Sequence, residues 1–382
     1  MSSRSVLLSV SCLALLLVAC GGGGSTVSTT PAAPPPVATP TVNAYSGTAS
    51  VGDFLQITLD ATAHTIQYKN LSNGDSGTVS YATNADGTYA ITDPTGNLQT
   101  AYEVPGYALI IKANKTGADH ATPSLITAIQ TQPITRVSIS NRSYNYMQFR
   151  TNSGGVEVGS LKINSSGDVA IESFWPYGEQ SGSGAFHTGS PVTGSAILTD
   201  PSGSFLKVPD DGGKFDYIFG TTGGFFAVDT PNGGIVSLNK AATKDFLASY
   251  AGSYKSIAYR KVGAHTGMGN VETSTTPGWL WSATIDISAT GLVQISDGSA
   301  PFITAQLIPL ADAAYLQGAG KLADPCNGLF TLRYTTTANG ITYQRDVFVT
   351  FLDHSLLFSS FKTALPMNGG NDYEYCYGVG LK

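Results

Sequence analysis

Charge is scarce in this chain: Asp, Glu, Lys and Arg make up 12% of its 382 residues, about half the usual quarter. The 20 basic residues are outnumbered by 26 acidic ones, for a net charge of −6. No basic face is expected, and nucleic acid is excluded as a partner. Histidine is rarer still, with five residues, and the sequence holds no H-E-x-x-H helix, Walker loop, G-x-S-x-G elbow or G-x-G-x-x-G fingerprint. The metallohydrolase, nucleotide and dinucleotide chemistries those motifs carry are unsupported, so neither a metal nor a cofactor is expected. Long apolar runs are also lacking. The stretch from Val6 to Val18 falls short of the roughly 20 residues that a membrane-spanning helix needs.

That stretch follows Arg4 and reads as a signal peptide covering residues 1–19. It ends in Leu17-Val18-Ala19-Cys20, which resembles the lipobox of bacterial lipoproteins. The resemblance implies that Cys20 carries acyl chains of the palmitate kind, becomes the mature N-terminus, and ties the protein to a membrane without spanning it. Gly21 in place of Asp favours, by the same resemblance, the outer membrane of the cell envelope, facing the periplasm or the outside. Residues 20–42 then form a Gly/Pro-rich tether, flexible at Gly21–Gly24 and stiffer around Pro34–Pro36.

From residue 43 onward the dominant period is two. In Asp53–Asp60, Leu55, Ile57 and Leu59 face one way; in Trp279–Ile287, Trp279, Trp281, Ala283, Ile285 and Ile287 share a face. Turn signals such as Asn73-Gly74, Asp86-Gly87, Asn232-Gly233 and Asn339-Gly340 separate the runs. The only helical candidates, around 241–248 and 310–316, are too short for βαβ crossovers. The expected fold is all-β: two or three antiparallel meander modules, barrel-like or sandwich-like, with a β-propeller as the alternative. Thr92–Leu98 echoes Thr199–Phe205, each with an Asp-Pro-x-Gly turn, so residues 43–240 are read as a duplicated region (about 43–132 and 143–240), followed by a C-terminal β domain at 249–382. Ala251-Gly252-Ser253-Tyr254 distantly resembles the opening of lipocalin-type barrels, with Tyr254 where that family has Trp.

Of the four cysteines, Cys12 leaves with the signal peptide and Cys20 is lipidated, so Cys326 and Cys376 are expected to form a disulfide in an oxidising envelope. Gly74-Asp75-Ser76-Gly77 matches the serine tetrapeptide of chymotrypsin-like proteases but sits where a hairpin turn is expected, with only His64 before it. His187 and His265 lie in Gly-rich loops, and Glu172, Glu179, Asp216 and Asp286 are candidate acids that nothing in the sequence brings together. No catalytic residue is assigned. The aromatic groups Phe174-Trp175-Pro176-Tyr177 and Tyr373, Tyr375, Tyr377 occupy exposed-looking positions, and Trp175 with Tyr177 is the candidate binding platform. Trp279 and Trp281 are assigned to a buried face.

These features describe a lipid-anchored envelope protein that binds without catalysis. Its partners would be the membrane, through the N-terminal lipid, and a glycan, a protein or a small hydrophobic ligand in a barrel mouth. A structural or assembly role, or an envelope hydrolase acting on polysaccharide or peptide, is the alternative.

Overall fold

A strand covered on one face alternates apolar and polar side chains, whereas a strand covered on both reads as an unbroken apolar run. Both kinds occur here, and their distribution explains how the sheets meet. The computed structural model describes residues 42–92, 98–116, 122–150, 155–176, 187–188, 191–192, 198–200, 202–209, 213–231, 233–263, 278–298, 300–313, 326–338, 340–365 and 373–382. The expected signal peptide, Cys20 and nearly all of the tether lie outside them. Thr41–Lys382 forms one compact unit.

The first sheet comprises β1 (Val42–Ala49), β2 (Phe54–Asp60), β3 (Thr65–Asn70), β4 (Ser76–Thr83), β5 (Tyr89–Thr92), β6 (Leu98–Val104), β7 (Ala108–Thr116) and β8 (Thr122–Gln130). Each strand pairs antiparallel with the next, and β1 pairs with β8, which closes a barrel. The middle sheet follows a one-turn helix, α1 (Arg136–Ile139), that Thr135 and Ser138 cap reciprocally. Its strands are β9 (Arg142–Arg150), β10 (Gly155–Ile163), β11 (Val169–Pro176), β12 (His187–Thr188), β13 (Pro191–Val192), β14 (Leu198–Thr199), β15 (Leu206–Pro209), β16 (Phe215–Gly220), β17 (Phe225–Thr230) and β18 (Gly233–Asn239). The C-terminal sheet comprises β19 (Gly252–Gly263), β20 (Trp279–Ile287), β21 (Leu292–Ser296), β22 (Ile303–Gln306), β23 (Ile308–Pro309), β24 (Leu329–Ala338), β25 (Ile341–Leu352), β26 (Ser355–Leu365) and β27 (Tyr373–Leu381).

In the two later sheets, too, the first strand pairs with the last: β9 with β18, and β19 with β27. The fold is therefore antiparallel all-β, built on meanders that curl back on themselves, and the C-terminal sheet is a nearly closed barrel around its own apolar core. This closure excludes the propeller alternative, whose four-stranded blades do not pair first strand to last. Of the two helical candidates, 241–248 ends in a single 3-10 turn, Ala248–Tyr250, and the described part of 310–316 holds another, Leu310–Asp312; Leu310 is fully buried among strands.

Each sheet encloses a core of its own, and the outer faces of all three meet in a fourth. Strand β27 shows the division by parity. Tyr375, Tyr377, Val379 and Leu381 point outward into the shared core, whereas Cys376 points inward together with Gly378 and Gly380, whose missing side chains would meet Phe358, Leu356 and Tyr254. In the shared core Phe54 of β2 stacks on Tyr217 of β16 at 4.5 Å, and Phe149 of β9 packs against Tyr259 of β19 and Tyr377 of β27. Burying each such ring stabilises the assembly by roughly 2–3 kcal/mol.

Two expectations are corrected here. Tyr375 and Tyr377 are not an exposed aromatic group, since the outer face of β27 is covered by the other sheets, leaving them 0% and 4% exposed. Cys326 and Cys376 do not form a disulfide. Cys376 faces the interior of the C-terminal barrel, Cys326 lies in the shared core with its Sγ 2.8 Å from Ser173 Oγ, and the sheet stands between them.

Candidate functional site

The two ends of the C-terminal barrel differ in chemistry. One end is sealed by aromatic packing: Tyr250 stacks on Phe351 at 5.0 Å, with Phe246 edge-on to Phe330 and to Phe351. There the Lys382 ammonium lies over the Tyr254 ring and donates to the carbonyls of Ser249 and Ala251. Tyr254, whose segment resembles the lipocalin opening, is thus part of the seal.

The other end is polar inside. Following the inward parity of β19 from Tyr254 through Ser256 and Ala258 leads to Arg260, which sits opposite Trp279 on β20 and opposite Cys376 on β27. The same rule carries β25 from Phe351, Val349 and Val347 to Arg345, opposite Tyr334 of β24. On β27 it reaches Glu374. Arg260 donates to Glu374 Oε1 through Nε at 2.9 Å and through Nη2, and Arg345 Nη2 donates to the same oxygen at 2.9 Å. Arg345 Nη1 donates to Ser360 Oγ at 3.2 Å. The Arg260 guanidinium lies 5.3 Å from the Trp279 ring centre and 5.6 Å from that of Trp281, within cation–π range.

Burial alone would raise the Glu374 pKa, but the two arginines outweigh it and hold the carboxyl below its ordinary value. Burial pushes the Tyr334 phenol up to about 12 and the Cys376 thiol up to about 11, with Arg345 and Arg260 opposing in both cases. Glu374 is thus ionised at neutral pH between the two guanidinium groups, and the neighbouring phenol and thiol are not. The arginines differ in access: the side chain of Arg260 is 24% exposed and that of Arg345 13%. This end can hold an anion beside flat aromatic surface.

A second polar cluster lies inside the first barrel. Glu103, 7% exposed, accepts from Asn43 Nδ2 at 3.0 Å, from Tyr45 Oη, and from Tyr89 Oη at 2.7 Å. Burial, and after it the hydrogen bond to Glu103, raises the pKa of both phenols. Neutral donors satisfy this carboxylate, making it a knot that fixes β1, β5 and β6 relative to one another.

The residues singled out from sequence fall elsewhere. Trp175 sits in β11 with its backbone opposite Val158, but its side chain, and all of Tyr177, lie outside the described residues, as do Glu179 and His265. His187 is placed only as the backbone of a short strand opposite Phe174. Ser76 is an exposed residue at the start of β4, behind a turn in which Asn73 Oδ1 accepts from the Asp75 amide and Gly74 takes φ 87°; His64 packs on Tyr81. Glu172 pairs with Lys240, Asp286 is exposed on β20, and Asp216 lies on β16, so the described candidate acids do not converge. Trp279 and Trp281 do face inward as expected, half-buried. Sequence reading missed Arg260, Arg345 and Glu374. The signal available was a charge at the inward parity of an apolar alternating strand.

No family model matches the chain, and no curated protein matches it. Among solved structures it is similar to a transferrin-binding protein B double mutant from Haemophilus parasuis, with 10% identity and a TM-score of 0.27 over 90% of this chain and 77% of that one. It is similar also to intact Ap-TbpB with its N and C lobes (11%, TM-score 0.25, 86% and 67%) and to CghA with Sch210972 (10%, TM-score 0.22, 89% and 88%). TM-scores this low say nothing of this chain's ligand, which rests on its own geometry.

Proposed function

We propose that this chain is a lipid-anchored, non-enzymatic binding protein of a bacterial envelope, and that it takes its ligand at the polar end of the C-terminal barrel. The observation that carries the reading is the contrast between that barrel's two ends: one is filled with packed aromatics, and the other holds two arginines, a glutamate and two half-buried tryptophans. Fusion of the three sheets through a shared core supports it, because a rigid scaffold holds such a cluster in one geometry. The N-terminal segment supports the anchor, since the lipobox-like Leu17–Cys20 and the Gly/Pro-rich tether suit a folded body held away from a lipid surface. At about 3 Å per extended residue the tether reaches some 60–70 Å.

The test is retention. Mature protein is immobilised, exposed to envelope extract and washed, and the retained material is identified by mass spectrometry. The wild type is expected to retain a defined species that a Trp279→Ala/Trp281→Ala variant does not. A wild type that retains nothing, or a variant that retains the same species, would contradict the reading. Turnover of a retained polysaccharide or peptide, abolished by a single Asp or Glu change, would instead establish an enzyme.

A further inference from the structure

Resting on that reading, we propose that the polar end of the C-terminal barrel is a carboxylate-binding subsite, in which Arg260 takes the anionic group of a ligand whose flat body stacks against Trp279 and Trp281.

The cluster comprises two guanidinium groups and one carboxylate, so among the described residues it carries one positive charge in excess. A guanidinium drawn out of water is costly unless an anion completes it. Both arginines donate to the same oxygen, Oε1 of Glu374, and Arg345 donates besides to Ser360 Oγ. Among the described residues this leaves Arg260 Nη1 and Arg345 Nε without a hydrogen-bond acceptor.

A guanidinium is a planar fork that matches a carboxylate edge to edge, and one excess charge is balanced by a monoanion. A carboxylate is a monoanion at neutral pH, whereas phosphate is in large part a dianion. The indoles of Trp279 and Trp281 lie within cation–π range of Arg260, and an indole offers a flat apolar face to the rest of a ligand. Access separates the roles: Arg260 is the more exposed and meets the ligand, while Arg345, tied to Ser360 and Glu374, is a positioning residue.

The chain holds three tryptophans, so Trp175→Phe leaves Trp279 and Trp281 as the only indoles and makes fluorescence a reporter of this end. Mature Trp175→Phe protein in detergent, and the wild type in parallel, is titrated with benzoate, with its neutral analogue benzamide, and with inorganic phosphate at constant ionic strength. Benzoate is expected to give a saturable change, with benzamide and phosphate at least tenfold weaker. Arg260→Met is expected to weaken benzoate tenfold or more while the fold survives, because Arg345 still pairs Glu374; Arg260→Lys restores part of the affinity. Should Arg260→Met fail to fold, the comparison of benzoate with benzamide on the unsubstituted site decides alone. Absence of a saturable benzoate signal, equal binding of benzamide, or undiminished binding by folded Arg260→Met would overturn the proposal. Retention of envelope material that Arg260→Met leaves unchanged would overturn it while leaving the binding function standing; no retention and no benzoate binding would remove both.

Discussion

Phe54 and Tyr217, 163 positions apart in the chain, lie ring on ring at 4.5 Å with their planes 9° apart, and this stack joins the outer face of the first barrel to that of the middle sheet. Phe205 meets both rings, and Phe54 is fully buried. Phe54→Ala is expected to cost roughly 3–5 kcal/mol. If the sheets unfold together, chemical denaturation of the variant shifts as one transition; a wild-type midpoint would show that the shared core contributes little.

Gly378 and Phe358 are a cross-strand pair whose fit depends on an absent side chain. A Cβ on Gly378 would stand 2.2 Å from Phe358 Cζ. Gly378→Ala is therefore expected to destabilise by about 1–3 kcal/mol, and Phe358→Leu in the same chain to recover part of that loss. A double-mutant cycle showing strict additivity would refute the steric account.

Two buried acids give opposite pH dependence. Asp229 is fully buried, and burial, with Asp53 and Asp216 adding, raises its pKa well above 3.8 despite the Thr48 hydroxyl bond at 2.5 Å. Its contribution is full below about pH 4 and is lost as pH rises toward the raised folded value. Asp229→Asn is expected to match the wild type near pH 4 and exceed it near pH 8 in thermal melts. For Glu374 the folded pKa lies below 4.5, so its contribution is present above that value and disappears as pH falls through the folded one. Glu374→Gln is expected to lose about 3 kcal/mol at pH 7 and to converge on the wild type in acid. Parallel pH profiles for either variant would contradict these assignments.

Both body cysteines are buried and neither is in a disulfide. With Cys12 and Cys20 removed by processing or substitution, a thiol reagent is expected to find no reactive group in the native protein and two after denaturation without reductant. The Cys376 thiol, pushed up to about 11, resists alkylation further. Zero thiols in the denatured chain would restore the disulfide.

Membrane attachment is expected to depend on one residue. Cys20→Ala should move the protein from the membrane fraction to the soluble fraction; persistence in the membrane would remove the lipid anchor from the account.

How far the sequence could be read follows from the range of each interaction. Strand type and antiparallel order were legible because they are local: alternation in Asp53–Asp60 and Trp279–Ile287, and the turn at Asn73-Gly74, depend on neighbours in the chain. Burial of Tyr375 and Tyr377 was not, because both enter a core shared with the other sheets, where Phe149, far away in the sequence, packs on Tyr377. The polar end of the last barrel is harder still, since Arg260, Arg345 and Glu374 come from three separate strands and meet only once the sheet curls. Parity could have marked each of them singly as a charge on an inward face, but only closure of the barrel brings them to one oxygen.

The most direct test of the central claim, that this end of the C-terminal barrel holds a ligand, is native against denaturing mass spectrometry of the mature protein isolated from its own envelope, beside Arg260→Met prepared identically. The account predicts a discrete extra mass on the wild type that disappears on denaturation and is absent from the variant. A bare wild-type mass, or an extra mass that Arg260→Met keeps, would contradict it.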